Sequence, residues 1–154
     1  MNYTLRPATP ADAETIQAQR DAMFADMGSD AGRIAASRAA SLAWLRRALE
    51  SGEYGGVLAQ HGPEVVAGAG VIWQSLPPSP LTFCEMRAYF LNVYVQPAHR
   101  GQRLARRLVD ALLEQCRGRG VTYVALHASD AGRPTYEAQG FKPTNELRLM
   151  LGAS

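Results

Sequence analysis

Apolar and polar positions along the chain follow two rhythms, and the sharper one lies near the middle of the second half. Leu104, Ala105, Leu108, Val109, Leu112 and Cys116 recur every three or four residues, with Arg103, Arg106, Arg107 and Asp110 between them. That is the stripe of a helix lying on a sheet. Residues 88–95, just ahead of it, are aromatic and β-branched, which predicts a packed strand. Pro97 ends that strand because it has no N–H to give a ladder.

The remaining elements follow from the same two periods. Residues 2–6 predict a short strand. Thr9 as N-cap, Pro10 at the first helical position and Asp12 as an approximate capping-box partner open a helix reaching about Met27. A second helix is predicted over residues 31–49, with Ile34, Leu42, Leu45 and Leu49 inward. Residues 54–60 and 65–74 read as two strands joined by a hairpin-type loop. Gly68 and Gly70 in the second strand mark a bulge or a close approach, by a helix or another group. The prolines between Ser75 and Leu81 exclude regular structure there.

The arginine-faced helix stops at Gly118-Arg119-Gly120. Residues 121–127 predict a buried strand parallel to 88–95 through a right-handed crossover. A short helix containing Tyr136 ends at Gly140, and residues 141–151 predict the last strands, with Leu147, Leu149 and Leu151 alternating. Strand, two helices, three strands, helix, strand, helix, strands is an α/β order.

Composition narrows the class without naming it. The 154 residues are 47% hydrophobic and 19% charged, which predicts a single globular domain over 1–154. A net charge of +2 and the lack of an aromatic stacking platform argue against nucleic acid. No signal peptide or membrane-spanning apolar run is visible, and Cys84 and Cys116 make no metal or disulfide pattern. The expectation is a cytoplasmic protein with no metal and no membrane partner. There is no Gly-x-Ser-x-Gly elbow and no Gly-Lys-Ser/Thr loop.

The candidate chemistry sits where the middle strand turns into the arginine-faced helix. A helix start offers unpartnered N–H groups and a positive dipole end. Gly101 lets the backbone approach a ligand, and Arg100 and Arg103 add charge. Such a strand, loop and helix cradle a phosphate or pyrophosphate; a surface helix with a solvated arginine face is the alternative on these residues alone.

Arg100-Gly101-Gln102-Arg103-Leu104-Ala105 resembles the pyrophosphate motif Arg/Gln-x-x-Gly-x-Gly/Ala of the GCN5-related N-acetyltransferases, with Arg103 in place of the middle glycine. Ser129 through Phe141 resembles the second motif of that family, Asn-x-x-Ala-x-x-x-Tyr-x-x-x-Gly-Phe. Tyr136, Gly140 and Phe141 match it, Ser129 replaces the Asn and Gly132 the Ala. The resemblance spans nearly the whole chain, including the opening Leu5-Arg6-Pro7-Ala8-Thr9.

It implies a mixed, mostly antiparallel sheet, splayed between its fourth and fifth strands and flanked by helices, with acetyl-CoA as cosubstrate. It further implies that Val93, Tyr94 and Val95 hold the pantetheine arm through the main chain. Residues 100–105 (Arg100, Gly101, Gln102, Arg103, Leu104, Ala105) and Ser129 complete the cofactor site. A main-chain N–H near Asn92 or Val93 would polarise the thioester carbonyl, and Tyr136 would protonate the leaving thiolate. The reaction is direct attack by an amine, small or protein-borne. A non-catalytic acyl-CoA sensor is the alternative.

Glu85, Asn92, Tyr94 and His127 are candidates to receive the amine's proton, Glu85 through water. His127 otherwise reads as a satisfied core histidine, His61 and His99 as solvated loop residues. Met23, Met27, Trp44, Trp73 and Phe83 offer walls for an acceptor pocket or serve as core. The resemblance leaves a homodimer open.

Overall fold

The computed structural model describes residues 2–152. Its elements in chain order are β1 (Thr4–Pro7), α1 (Ala13–Asp26), α2 (Ala31–Ser51), β2 (Tyr54–His61), β3 (Glu64–Ser75), β4 (Met86–Val95), α3 (Leu104–Gly118), β5 (Val124–Leu126) and α4 (Arg133–Ala138). The five strands form one sheet in sequence order. The first four pair antiparallel and β4 pairs β5 parallel.

Local chemistry explains the boundaries. Ahead of α1 the chain makes a 3-10 turn over Pro10–Asp12, so the α-helix starts three residues later than the capping signal suggests. The signal itself is used: the Asp12 carboxylate accepts from the Thr9 N–H at 2.7 Å and from Arg6 at 2.8 and 2.9 Å. Those bonds, the Arg6 pair first, hold the Asp12 carboxyl down at about 2. Asp30 caps α2 by accepting from Arg33 N–H, and Gly52 ends it at φ 82°.

The sheet carries a core on each face. On one, Leu104, Leu108, Val109, Leu112 and Cys116 of α3 pack against Val57, Ala59, Ala69, Val71 and Phe90. Burying each such leucine contributes about 2 kcal/mol. On the other, Ile16 of α1 and Leu45, Ala48 and Leu49 of α2 cover Tyr54 and Leu58. Gly68 and Gly70 face this second layer. A side chain at Gly68 would run into Gln19 of α1, and one at Gly70 into the Tyr54 hydroxyl. Both sequence readings hold, because the β3–β4 register also shifts between these glycines.

Two predictions fail. Residues 121–127 form a strand only over Val124–Leu126, because Val121 N–H closes the end of α3 on Cys116 and Thr122 bonds across to Thr82. Residues 141–151 form no strand at all. Their alternation is real, but Leu147, Leu149 and Leu151 are 95%, 80% and 88% exposed, with no neighbouring strand among the described residues to fix them.

Candidate functional site

The site begins with one extra residue in β4. Gly68 of β3 faces Tyr94 and Gly70 faces Leu91, so Asn92 and Val93 together oppose Ala69. This is a β-bulge. Asn92 takes φ 56°, a left-handed conformation that asparagine tolerates better than most residues. The bulge reverses which strand edge each residue serves. Before it, Ala88 gives its N–H to Tyr123 beside β5; after it, Gln96 gives its N–H to Val66 beside β3. Successive residues turn their amides to opposite edges, so Val95 and Val93 aim theirs at the β5 side. There β5 has already parted: its pairing with β4 covers only Ala88–Phe90. The Val93 and Val95 main chain therefore faces the edge that β5 has left. Tyr94 turns its own main chain to Gly68, and its ring lies 5.6 Å from the Arg100 guanidinium.

Beyond Val95 the chain makes a 3-10 turn over Pro97–His99, then two left-handed residues, Gly101 at φ 79° and Arg103 at φ 59°. Arg103 caps α3, accepting the first helical bond from Arg107 N–H at 3.1 Å. Among the described residues, the N–H groups of residues 101–106 have no acceptor. They form a concave run of donors at the positive end of α3, the geometry of an anion nest. Leu104 has its side chain buried in the core and only its amide in the donor run.

Arg100, the first position of the motif, bridges the loop to two other elements. Its Nε donates to the Val95 carbonyl at 2.9 Å and its Nη2 pairs with Asp26 at 2.7 Å. It ties the loop to the end of α1. Asp26, 74 residues away, carries no local signal of this partnership.

Tyr136 stands on α4, whose leading turn is held by Ser129: the Ser129 Oγ accepts from Gly132 N–H at 3.1 Å. A Cβ at Gly132 would sit 3.0 Å from the Tyr136 ring, so the glycine gives that ring its place. Gly140, at φ 103°, turns the chain so that Phe141 stacks edge-on to Tyr136 at 6.0 Å and to Phe90 at 6.4 Å. Gln139 bonds Asp110 and the Arg106 carbonyl, tying α4 to α3. Burial pushes the Tyr136 phenol up from its ordinary value, and among the described residues its hydroxyl has no partner.

The opposite side of β4 was less legible. Asn92 is buried, donating to the Tyr54 hydroxyl at 3.1 Å and accepting from Arg20 at 2.6 Å. Tyr54 is pushed up to about 12, chiefly by burial. The Tyr89 hydroxyl bonds His127 Nδ1. His127 is thus an exposed residue paired with a phenol, not a core histidine. The reverse holds for His99, which is buried against Tyr3 at 3.0 Å. Glu85 lies seven residues before Asn92, about 23 Å along an extended strand, too far for a single-water relay to that bulge. A cleft of about 690 Å³ borders β5, lined by Tyr89, His127, Tyr136 and Leu147; it does not reach residues 92–95 or the donor loop. Of the five apolar walls, Trp73 is core, Trp44 packs edge-on to Tyr54, and Met27 and Phe83 are exposed.

Among the described residues no group of three metal-ligating side chains occurs, and no helix is long and apolar enough to cross a membrane. Residues 18–141 match the acetyltransferase (GNAT) family. A GCN5-related N-acetyltransferase from Ralstonia eutropha JMP134 is 32% identical, covering 97% of this chain and 99% of its own, with a TM-score of 0.94. A predicted acetyltransferase from Clostridium acetobutylicum, solved with acetyl-CoA, shares the fold at 22% identity, TM-score 0.90, covering 97% and 96%. An aminoglycoside N-acetyltransferase in complex with CoA shares it at 15% identity, TM-score 0.75, covering 99% and 96%. No curated protein matches the sequence. With a family match over residues 18–141 and a 32% identical relative covering 97% of it, this chain belongs to the GNAT acetyltransferases.

Proposed function

We propose that residues 1–154 form one N-acetyltransferase domain that moves an acetyl group from acetyl-CoA to a primary amine by direct attack in a ternary complex. The observation that carries this reading is the bulge at Asn92-Val93, which turns the Val93 and Val95 amides toward the edge that β5 has left, ahead of the donor loop of α3. The amides of residues 101–106 grip the pyrophosphate, assisted by Arg103, while Arg100 holds the loop through Asp26. Val93 and Val95 pair with the pantetheine arm as an added strand would.

The chemistry needs two proton movements around one new bond. The amine nitrogen bonds to the acyl carbon, the carbon–sulfur bond breaks, and an amide N–H at the bulge holds the developing negative charge on oxygen. Tyr136 gives its phenolic proton to the departing thiolate; its raised pKa keeps that proton in place until the strong base forms. The Tyr89–His127 pair, which lines the same cleft as Tyr136, takes the proton that the amine sheds. The two free thiols, Cys84 and Cys116, suit a reducing compartment and support a cytoplasmic home.

Thiol release from acetyl-CoA, followed across a panel of amines, tests the reading. Release that needs an amine and falls in Tyr136→Phe supports it. Tight acetyl-CoA binding with no turnover on any amine refutes it in favour of a sensor.

A further inference from the structure

We infer that Arg20 is the anchor for a carboxylate on the acceptor, so that the amine this protein acetylates belongs to an amino-acid-like molecule; this rests on the transferase reading above. The starting point is an imbalance of charge. Arg6, Arg38, Arg46 and Arg100 each pair with a carboxylate, on Asp12, Asp21, Glu14 and Asp26. Arg20 sits deeper than these and has no such partner among the described residues. Its one hydrogen-bond acceptor is the neutral Asn92 side chain, at 2.6 Å. The adjacent Asp21 is already engaged by Arg38 and by Gln17, at 2.5 and 2.9 Å.

Besides Asn92, the groups acting on Arg20 are one ring, two phenols and the Asp21 carboxylate that Arg38 already holds. The guanidinium lies 4.7 Å from the centre of the Phe24 ring, and its charge is felt by Tyr54 and Tyr89. Burial pulls the Arg20 pKa down, against the smaller pull of Tyr54, Asp21 and Tyr89, which reflects the cost of leaving that cation with little water and no carboxylate in contact. A neutral donor would hold Asn92 equally well without that cost. A cation is retained there at a disadvantage that an anionic ligand would reverse.

Position identifies the ligand. Asn92 is the bulge residue where β4 and β5 part, and Arg20 acts on Tyr89, so an anion on Arg20 would lie beside the proposed acyl site and toward the Tyr89–His127 pair. A molecule carrying a carboxylate and an amine a few bonds apart would meet Arg20 with one and the acyl carbon with the other. The planar fork of a guanidinium matches a carboxylate with two parallel hydrogen bonds.

The test uses amino acids of several spacings, each beside its own carboxamide, with acetyl-CoA saturating. The acid is expected to outperform its carboxamide in kcat/KM, and Arg20→Gln to lower that ratio about 10- to 100-fold. Arg20→Lys should restore part of it. Taking the ratio cancels any general damage from moving Asn92. Carboxamides that serve as well as acids, or a ratio unchanged in Arg20→Gln, overturn the inference while leaving the transferase intact. If no amine releases thiol, the transferase reading fails. Calorimetry of the same amino acids with the CoA-bound protein then decides the anchor separately: binding weakened at least tenfold in Arg20→Gln supports it, and equal binding refutes it.

Discussion

Replacing Arg103 with glycine should stabilise this protein, although it removes a charged side chain from a ligand loop. Arg103 holds φ 59° and ψ 25°, a left-handed conformation in which its Cβ crowds the following carbonyl. That conformation costs an L-residue about 1–2 kcal/mol. Glycine escapes this cost but loses about 0.5–1 kcal/mol through its greater freedom in the unfolded chain. The difference leaves about 0.5–1 kcal/mol in favour of Arg103→Gly. For a chain of this length that raises the melting temperature by about 1–4 °C.

Arg103→Ala is the control, since it removes the same charge and keeps the strained backbone. Thermal melts followed by circular dichroism should place Arg103→Ala near the parent and Arg103→Gly above both. CoA titrations of the two variants add a second reading. They lack the same cation, so a difference in affinity between them reports loop geometry alone. A glycine variant that melts at or below the alanine variant would refute the strain assigned to this residue.

Other outcomes follow from the same geometry. Tyr136→Phe should lower kcat by about 100- to 10,000-fold with little change in the KM for acetyl-CoA, measured by thiol release. Because burial raises the Tyr136 pKa, the acid form persists past the ordinary phenol range, and the alkaline fall in kcat attributable to it should lie above pH 10. Asp12→Asn should cost about 2 kcal/mol at neutral pH, since the carboxyl drops from 3.8 to about 2 on folding. A depressed pKa stabilises above the unfolded value and is lost as pH falls through the folded one, so denaturant midpoints of parent and variant should converge between pH 4 and 2. Gly70→Ala should destabilise by about 1–3 kcal/mol by driving a methyl group into Tyr54, read by urea unfolding.

The parts legible in the sequence are those where one side chain's chemistry decides the outcome locally. The inward stripe of α3, the Pro97 stop and the capping set around Asp12 need no distant partner to be recognised, and each lies where expected. The failures share the opposite property. The alternation of Leu147, Leu149 and Leu151 resembles that of a strand, but an extended segment becomes one only when a neighbour supplies its hydrogen bonds. Nothing near Arg100 announces Asp26, and nothing near His127 announces Tyr89, because both contacts join elements far apart in the chain.

The bulge combines both cases and explains why the site forms where it does. Asn92 is a residue type suited to the left-handed conformation, yet its neighbours read as unbroken strand, so the extra residue is hidden in the pattern. Its consequence is a change of parity. Without it, Val93 and Val95 would turn their amides into the β3 ladder, and the edge facing β5 would offer Tyr94 and Gln96 instead. With it, β4 pairs β5 through Ala88–Phe90 and then turns Val93 and Val95 to an edge without a strand partner, ahead of the amide run at the start of α3. The buried Tyr54 and Arg20 contacts to Asn92 hold the inserted residue from behind. On the proposed reading, the same contacts would bring the acceptor side into register with the cofactor side, so one inserted asparagine would couple the two.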